Sequence, residues 1–123
     1  MLVDSSGWLE FFTNGPLASV YARYLDDLRN IITPTVVLYE AYKIIKRQRS
    51  EEAALVAVAQ MGKSRVIPLN DTIALTAADV SLTYQLAMAD AIVYATALTE
   101  GVKLITSDAD LAPLPNVLYL KKP

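Results

Sequence analysis

The chain has no cysteine and no histidine among its 123 residues. Without thiols there is no disulfide framework, no thiolate zinc site and no cysteine nucleophile. Without imidazoles there is no histidine metal ligand, no Ser-His-Asp triad and no ordinary neutral-pH general base. An excess of positive charge is missing too: eleven Lys and Arg stand against thirteen Asp and Glu, a formal net charge of -2. A protein that holds nucleic acid by bulk charge would be basic. Contact with a polyanion would therefore have to run through bound cations or a local basic patch. Nor is there a long apolar run; residues 86–98 come nearest, but Asp90 interrupts them and they are too short to span a bilayer. Met1-Leu2-Val3-Asp4 lacks the basic start and apolar stretch of a signal peptide. A soluble, cytoplasmic protein with no membrane partner is expected.

What is present is apolar material: 54% of the chain is hydrophobic. That suffices for the core of one compact domain over residues 1–123. It is also high for this size, so part of it is expected to be covered by a partner chain. Leu2-Val3 reads as a strand running into Asp4-Ser5-Ser6, where a helix can be capped; Trp8, Leu9 and Phe12 then repeat at helical spacing. Asn14-Gly15-Pro16 separates this helix from a second, striped by Leu17, Val20, Tyr21, Tyr24, Leu25 and Leu28. Ile31-Ile32 is a second strand. Helices over about 36–49 and 51–61 follow, then an edge-like strand at 65–69 containing Pro68. Asn70 can cap a helix carrying Ile73, Leu75, Ala77, Val80 and Leu82. A helix over about 89–100, a strand at 102–106 and a short strand at 117–120 complete the pattern. Alternating strands and helices predict an α/β fold with a short, mostly parallel central sheet flanked by helices.

Most of the acidic residues have an ordinary explanation. Glu51, Glu52 and Asp71 suit the first turns of helices. Asp26 and Asp27 lie near Arg23 and Arg29, while Glu10, Asp79 and Glu100 fall among polar or exposed positions. Four acids stand apart. Asp4 follows the first strand and Asp108 the strand at 102–106; ligands of open α/β sheets bind beyond such strand ends. Glu40 has Val36, Val37, Lys43 and Ile44 within one turn. Asp90 has Leu86, Ala87, Val93 and Tyr94, with no Lys or Arg close in sequence. A carboxylate on a core-facing surface costs several kcal/mol unless it is compensated. Either Asp90 caps its helix, or several such acids converge on a shared divalent cation. An all-oxygen set suits Mg²⁺ or Mn²⁺ rather than zinc or copper.

With these residues in view, the chain resembles the PIN-domain ribonucleases, and within them the VapC-type toxins of toxin–antitoxin pairs. The similarity runs through a strand ending in Asp4-Ser5-Ser6, Glu40 in Val36-Val37-Leu38-Tyr39-Glu40, the helix Asp90-Ala91-Ile92-Val93-Tyr94-Ala95-Thr96-Ala97, and Thr106-Ser107-Asp108-Ala109-Asp110. Leu111 stands where the family commonly has Phe. The resemblance implies a PIN-like three-layer fold in which Asp4, Glu40, Asp90 and Asp108 bind one or two Mg²⁺ or Mn²⁺ ions. Ser6 and Thr106 would orient carboxylates or waters. Asp108 is favoured over Asp110 as fourth ligand because it lies closer to the strand end, with Asp110 in support. The implied activity is metal-dependent hydrolysis of RNA, leaving a 5′-phosphate. The implied partners are a cognate antitoxin protein and a second copy of the chain.

Two further features have double readings. Lys43, Lys46, Arg47 and Arg49 follow Glu40 on its helix, either gripping RNA phosphates or forming a solvated face at the helix C-terminus. The stripe containing Tyr21 and Tyr24 is either core or an interface for an antitoxin helix. Competing functions are a phosphoryl-accepting receiver-like domain, a PIN-like module that binds without cutting, and an RNA-processing nuclease with no toxin role. The receiver reading lacks the paired acids at the first strand and the late Lys. The intact set of four acids disfavours the binding module, and the minimal length favours the toxin.

Overall fold

A computed structural model describes residues 1–123. Strands β1 (Leu2–Val3), β2 (Ile32–Pro34), β3 (Arg65–Ile67), β4 (Leu104–Thr106) and β5 (Val117–Tyr119) form one sheet in the order β3-β2-β1-β4-β5. Every pairing is parallel. Six α-helices accompany them: α1 (Ser5–Phe12), α2 (Ala18–Tyr24), α3 (Thr35–Gln48), α4 (Glu51–Met61), α5 (Asp71–Tyr84) and α6 (Met88–Glu100). The expected α/β architecture is therefore present. No helix is long and apolar enough to cross a membrane.

The chain steps outward from β1 to β3, then returns through α5 and α6 to lay β4 on the other side of β1. The strand order reverses between β1 and β4, which is where ligands bind in open α/β sheets. Leu2, Val3, Ile32, Leu104 and Ile105 are all buried. Strands covered on both faces read as unbroken apolar pairs, which is how they appear in the sequence. β3 lies at one edge of the sheet, so Pro68 just beyond it removes no interior hydrogen bond.

Several boundaries differ from the sequence expectation, each for a local reason. The second helix stops at Tyr24; Asp27 then accepts the Arg29 backbone N–H at 3.1 Å and builds a 3₁₀ turn at Leu28–Asn30. Such side-chain bonds compete with helix continuation. Of its stripe, Tyr21 and Leu25 are buried in the core, while Leu17, Tyr24 and Leu28 are partly buried against it. The strand expected at 102–106 begins only at Leu104, because Val102 N–H is spent on Ala97 O as the chain leaves α6 through Gly101 (φ 66°). On α5, Ile73, Ala77 and Val80 are buried, whereas Leu75 and Leu82 are 71% and 84% exposed.

Glu10 is a correction. It was expected among polar or exposed positions, yet it is buried. The turn at Asn14-Gly15-Pro16 folds the chain back over it, so its Oε1 accepts the Leu17 N–H at 3.0 Å. Lys122 Nζ stands 3.8 Å from its Oε2.

Candidate metal centre

The carboxyl ends of β1 and β4 meet in register, with Val3 opposite Ile105. Asp4 N–H donates to Ile105 O at 3.0 Å, which fixes Asp4 beside Thr106. The Asp4 side chain is only 4% exposed and takes three donors. Ser5 N–H reaches Oδ1 at 2.8 Å, while Thr106 Oγ1 and Ser6 Oγ donate to Oδ2 at 2.8 and 3.2 Å. Each hydroxyl has a single proton and directs it at Asp4. Each then accepts a backbone N–H from the segment after β4: Ser6 Oγ from Ser107 at 3.0 Å, Thr106 Oγ1 from Asp108 at 2.9 Å. The strand-end acid and the following loop are thus one hydrogen-bonded unit. Burial pushes the Asp4 pKa up; the bonds from Thr106, Ser5 and Ser6 oppose this, and the nearby Asp108 charge adds to it.

Two helices bring further acids to this end of the sheet. Glu40, on α3 directly after β2, is half-buried; burial raises its pKa, as do the Asp4, Asp90 and Asp108 charges, with partial relief from Ser5. Asp90 is pushed up to about 6 by burial and by Asp108, Asp4 and Asp110. The helix-cap reading of Asp90 does not hold: the N-cap of α6 is Ala87, with no side-chain cap bond. Carboxylate oxygens of Asp90, Asp108 and Asp110 lie within 4.8 Å of one another. Asp108 Oδ1 also accepts the Asp110 N–H at 2.9 Å. Both candidates for the fourth ligand therefore stand beside Asp90, and Asp4 and Glu40 border the group within electrostatic reach.

None of these five acids joins an ion pair; the four present lie at Asp27, Glu51, Glu100 and Glu10. Clustered like charges raise one another's pKa unless a cation intervenes. An all-carboxylate set with free oxygens is the donor chemistry of hard divalent ions, and the chain offers no imidazole or thiolate for softer ones. The residues fit such an ion.

The family model described as the PIN domain matches residues 1–116. The chain belongs to the PIN domain family. Its fold is that of several solved structures. A toxin–antitoxin complex from Klebsiella pneumoniae is similar at a TM-score of 0.80 and 22% identity, covering 95% of this chain and 94% of that one. VapC20 of Mycobacterium tuberculosis, described as a sarcin-ricin loop cleaving toxin, reaches 0.80 at 18% identity and covers 98% of both chains. DNA-bound VapBC from Salmonella typhimurium reaches 0.79 at 12% identity, covering 99% of this chain and 97% of that one. No curated protein matches in sequence.

The basic run of this PIN domain divides. At about 100° per residue, Lys43 and Arg47 return to the face of Glu40 while Lys46 turns roughly 120° away. Accordingly Lys43 and Arg47 line a cleft of ≈ 200 Å³ together with Tyr39, Glu40 and Ile44. Lys46 instead lies 3.5 Å from Glu51 and over the Tyr42 ring. Sequence reasoning passed over Ser107 and the Tyr21 hydroxyl, which share a hydrogen bond of 2.6 Å. Ser107 sits between two singled-out residues, a weak signal; the Tyr21 stripe gave no sign of where its hydroxyl leads.

Proposed function

We propose that this PIN domain is a metal-dependent endoribonuclease, the toxin of a type II toxin–antitoxin pair. The observation that carries the reading is five carboxylates gathered at the β1–β4 strand ends, none of them in an ion pair with Lys or Arg. Asp4, Glu40, Asp90 and Asp108 would hold Mg²⁺ or Mn²⁺, with Asp110 in support. When bound, such ions supply Lewis acidity, lowering the pKa of an attacking water and neutralising charge at the phosphate. They would also reverse the sign of the local field, which reconciles an acidic protein with an acidic substrate.

The chain's own residues do the rest. Thr106 and Ser6 hold Asp4 Oδ2 in a fixed direction and favour its charged form. Lys43 and Arg47, beside Glu40 and free of ion pairs, would hold flanking phosphates; Lys46 is assigned no such role. The likeness to toxin–antitoxin complexes supports a cognate antitoxin as partner. Self-association is supported by the outer face of α5 and α6. There Leu75, Leu82 and Met88 are 71%, 84% and 78% exposed, and Met88 lines an apolar groove with Leu69, Ala74, Ala78 and Ile92.

The test is cleavage of end-labelled RNA in Mg²⁺ or Mn²⁺, with and without EDTA, beside Asp90→Asn purified identically. Cleavage by the wild type alone, abolished by EDTA, is the expected result. Equal cleavage by both proteins would remove Asp90 from the site.

A further inference from the structure

Tyr21 is fully buried on α2, with its ring against α1. The position opposite is Gly7, where a Cβ would collide with the tyrosine ring and with Val3. The ring is therefore seated by shape. A residue seated for packing alone needs no hydroxyl, and a buried phenol is costly unless it finds a partner. The Tyr21 hydroxyl has one: Ser107 Oγ, 2.6 Å away and 86 residues on in the chain.

Ser107 is held at two points. Its side chain meets Tyr21, and its backbone N–H donates to Ser6 Oγ at 3.0 Å. Its neighbours are Thr106, which donates to Asp4, and Asp108, whose N–H returns to Thr106. A shift at Ser107 would therefore move the bond from Ser6 to Asp4 and the start of the segment bearing Asp108 and Asp110. Tyr21 reaches this network from α2, outside both the segment and α1's first turn.

We propose that Tyr21 is a positioning residue: through its bond to Ser107 it fixes the 106–110 segment, and so sets the placement of Asp108 and the support of Asp4. This rests on the metal-nuclease reading above. The Tyr21 hydroxyl bonds to none of the five acids and acts through Ser107. Its pKa, raised by burial to about 12, keeps the proton on the hydroxyl through the ordinary pH range.

The experiment is Mn²⁺ titration calorimetry together with amide hydrogen exchange at Ser107 and Asp108. The proteins are wild type, Tyr21→Phe, Ser107→Ala, the double variant and Ser107→Thr, each checked by thermal unfolding in EDTA. Tyr21→Phe and Ser107→Ala are each expected to weaken Mn²⁺ binding by about tenfold and to speed exchange at both amides. The double variant should be no weaker than either single one, because both remove the same bond. Ser107→Thr keeps the hydroxyl and should bind like the wild type. A merely structural tyrosine would lower the melting temperature and leave the Mn²⁺ affinity alone. Unchanged affinity and unchanged exchange in Tyr21→Phe would overturn the proposal, as would multiplicative losses in the double variant. A wild-type chain that takes up no Mn²⁺ would overturn the metal reading as well, and the exchange data would still report whether Tyr21 orders the segment.

Discussion

Asp4 and Asp90 are both acids of one cluster, yet their surroundings differ in kind. Asp4 ends a strand and receives three hydrogen bonds from Ser5, Ser6 and Thr106. Asp90 rides on a helix, receives none, and faces three other carboxylates. Three hydrogen bonds offset part of the burial penalty on Asp4; Asp90, in the first turn of α6, has only the helix end to set against its burial and its acidic neighbours. A cluster holding only acids like Asp4 would be a structural network, and one holding only acids like Asp90 would lack a fixed frame. The combination of a braced acid and unbraced ones is what an ion-binding site requires.

The largest test of this contrast is catalytic. Asp90→Asn should reduce RNA cleavage by on the order of a thousandfold, since several kcal/mol of charge stabilisation at the phosphate depend on the ion it would help to hold. Single-turnover rates on a fixed RNA measure this. Next comes folding. Asp4→Ala would leave buried donors of Thr106, Ser6 and Ser5 without their acceptor and should cost about 2–3 kcal/mol in denaturant unfolding without metal. Asp90→Asn in the same experiment should be neutral or stabilising, because it removes a half-buried charge repelled by Asp108, Asp4 and Asp110. Equal losses in both would erase the distinction.

A smaller effect concerns pH. Asp90 holds its proton more tightly in the folded chain, with a pKa of about 6, than an ordinary carboxylate near 4 does when unfolded. Its contribution therefore favours the folded state at acid pH and is lost as pH rises from about 4 through about 6. Metal-free wild type should lose melting temperature across that window by differential scanning calorimetry, and Asp90→Asn should lose less. Smallest is the basic face. Lys43→Ala and Arg47→Ala should each weaken RNA binding and flatten its salt dependence, whereas Lys46→Ala should do neither; binding isotherms at several salt concentrations distinguish them.

Much of this was legible in the sequence because it is written in short-range pattern. Leu2-Val3 before Asp4, and Thr106 before Asp108, announce acids at strand ends, and alternating strands and helices announce the parallel sheet. The apolar neighbours of Asp90 announce a carboxylate with no local partner. What escaped depends on distant approach or on a single local bond. Glu10 is buried because the turn at Asn14-Gly15-Pro16 folds over it, and nothing within one helical turn of it says so. Tyr21 looked like packing because its stripe is packing; only its hydroxyl, meeting a residue 86 positions away, does otherwise. The second helix ended early through one Asp27 side chain, and Lys46 parted from Lys43 and Arg47 through helical phase alone.

The most direct measurement is thermal unfolding of wild type and Asp90→Asn above neutral pH, each in EDTA and in Mn²⁺ at about a hundred times the wild-type dissociation constant. Binding to the folded state at that concentration contributes about 2.7 kcal/mol, or roughly 10 °C for a chain of this size. The expected result is a wild type that gains this shift and an Asp90→Asn variant that starts at least as stable in EDTA and gains little. A wild type indifferent to Mn²⁺, or a variant that gains as much as the wild type, would contradict the assignment of these acids as a metal centre.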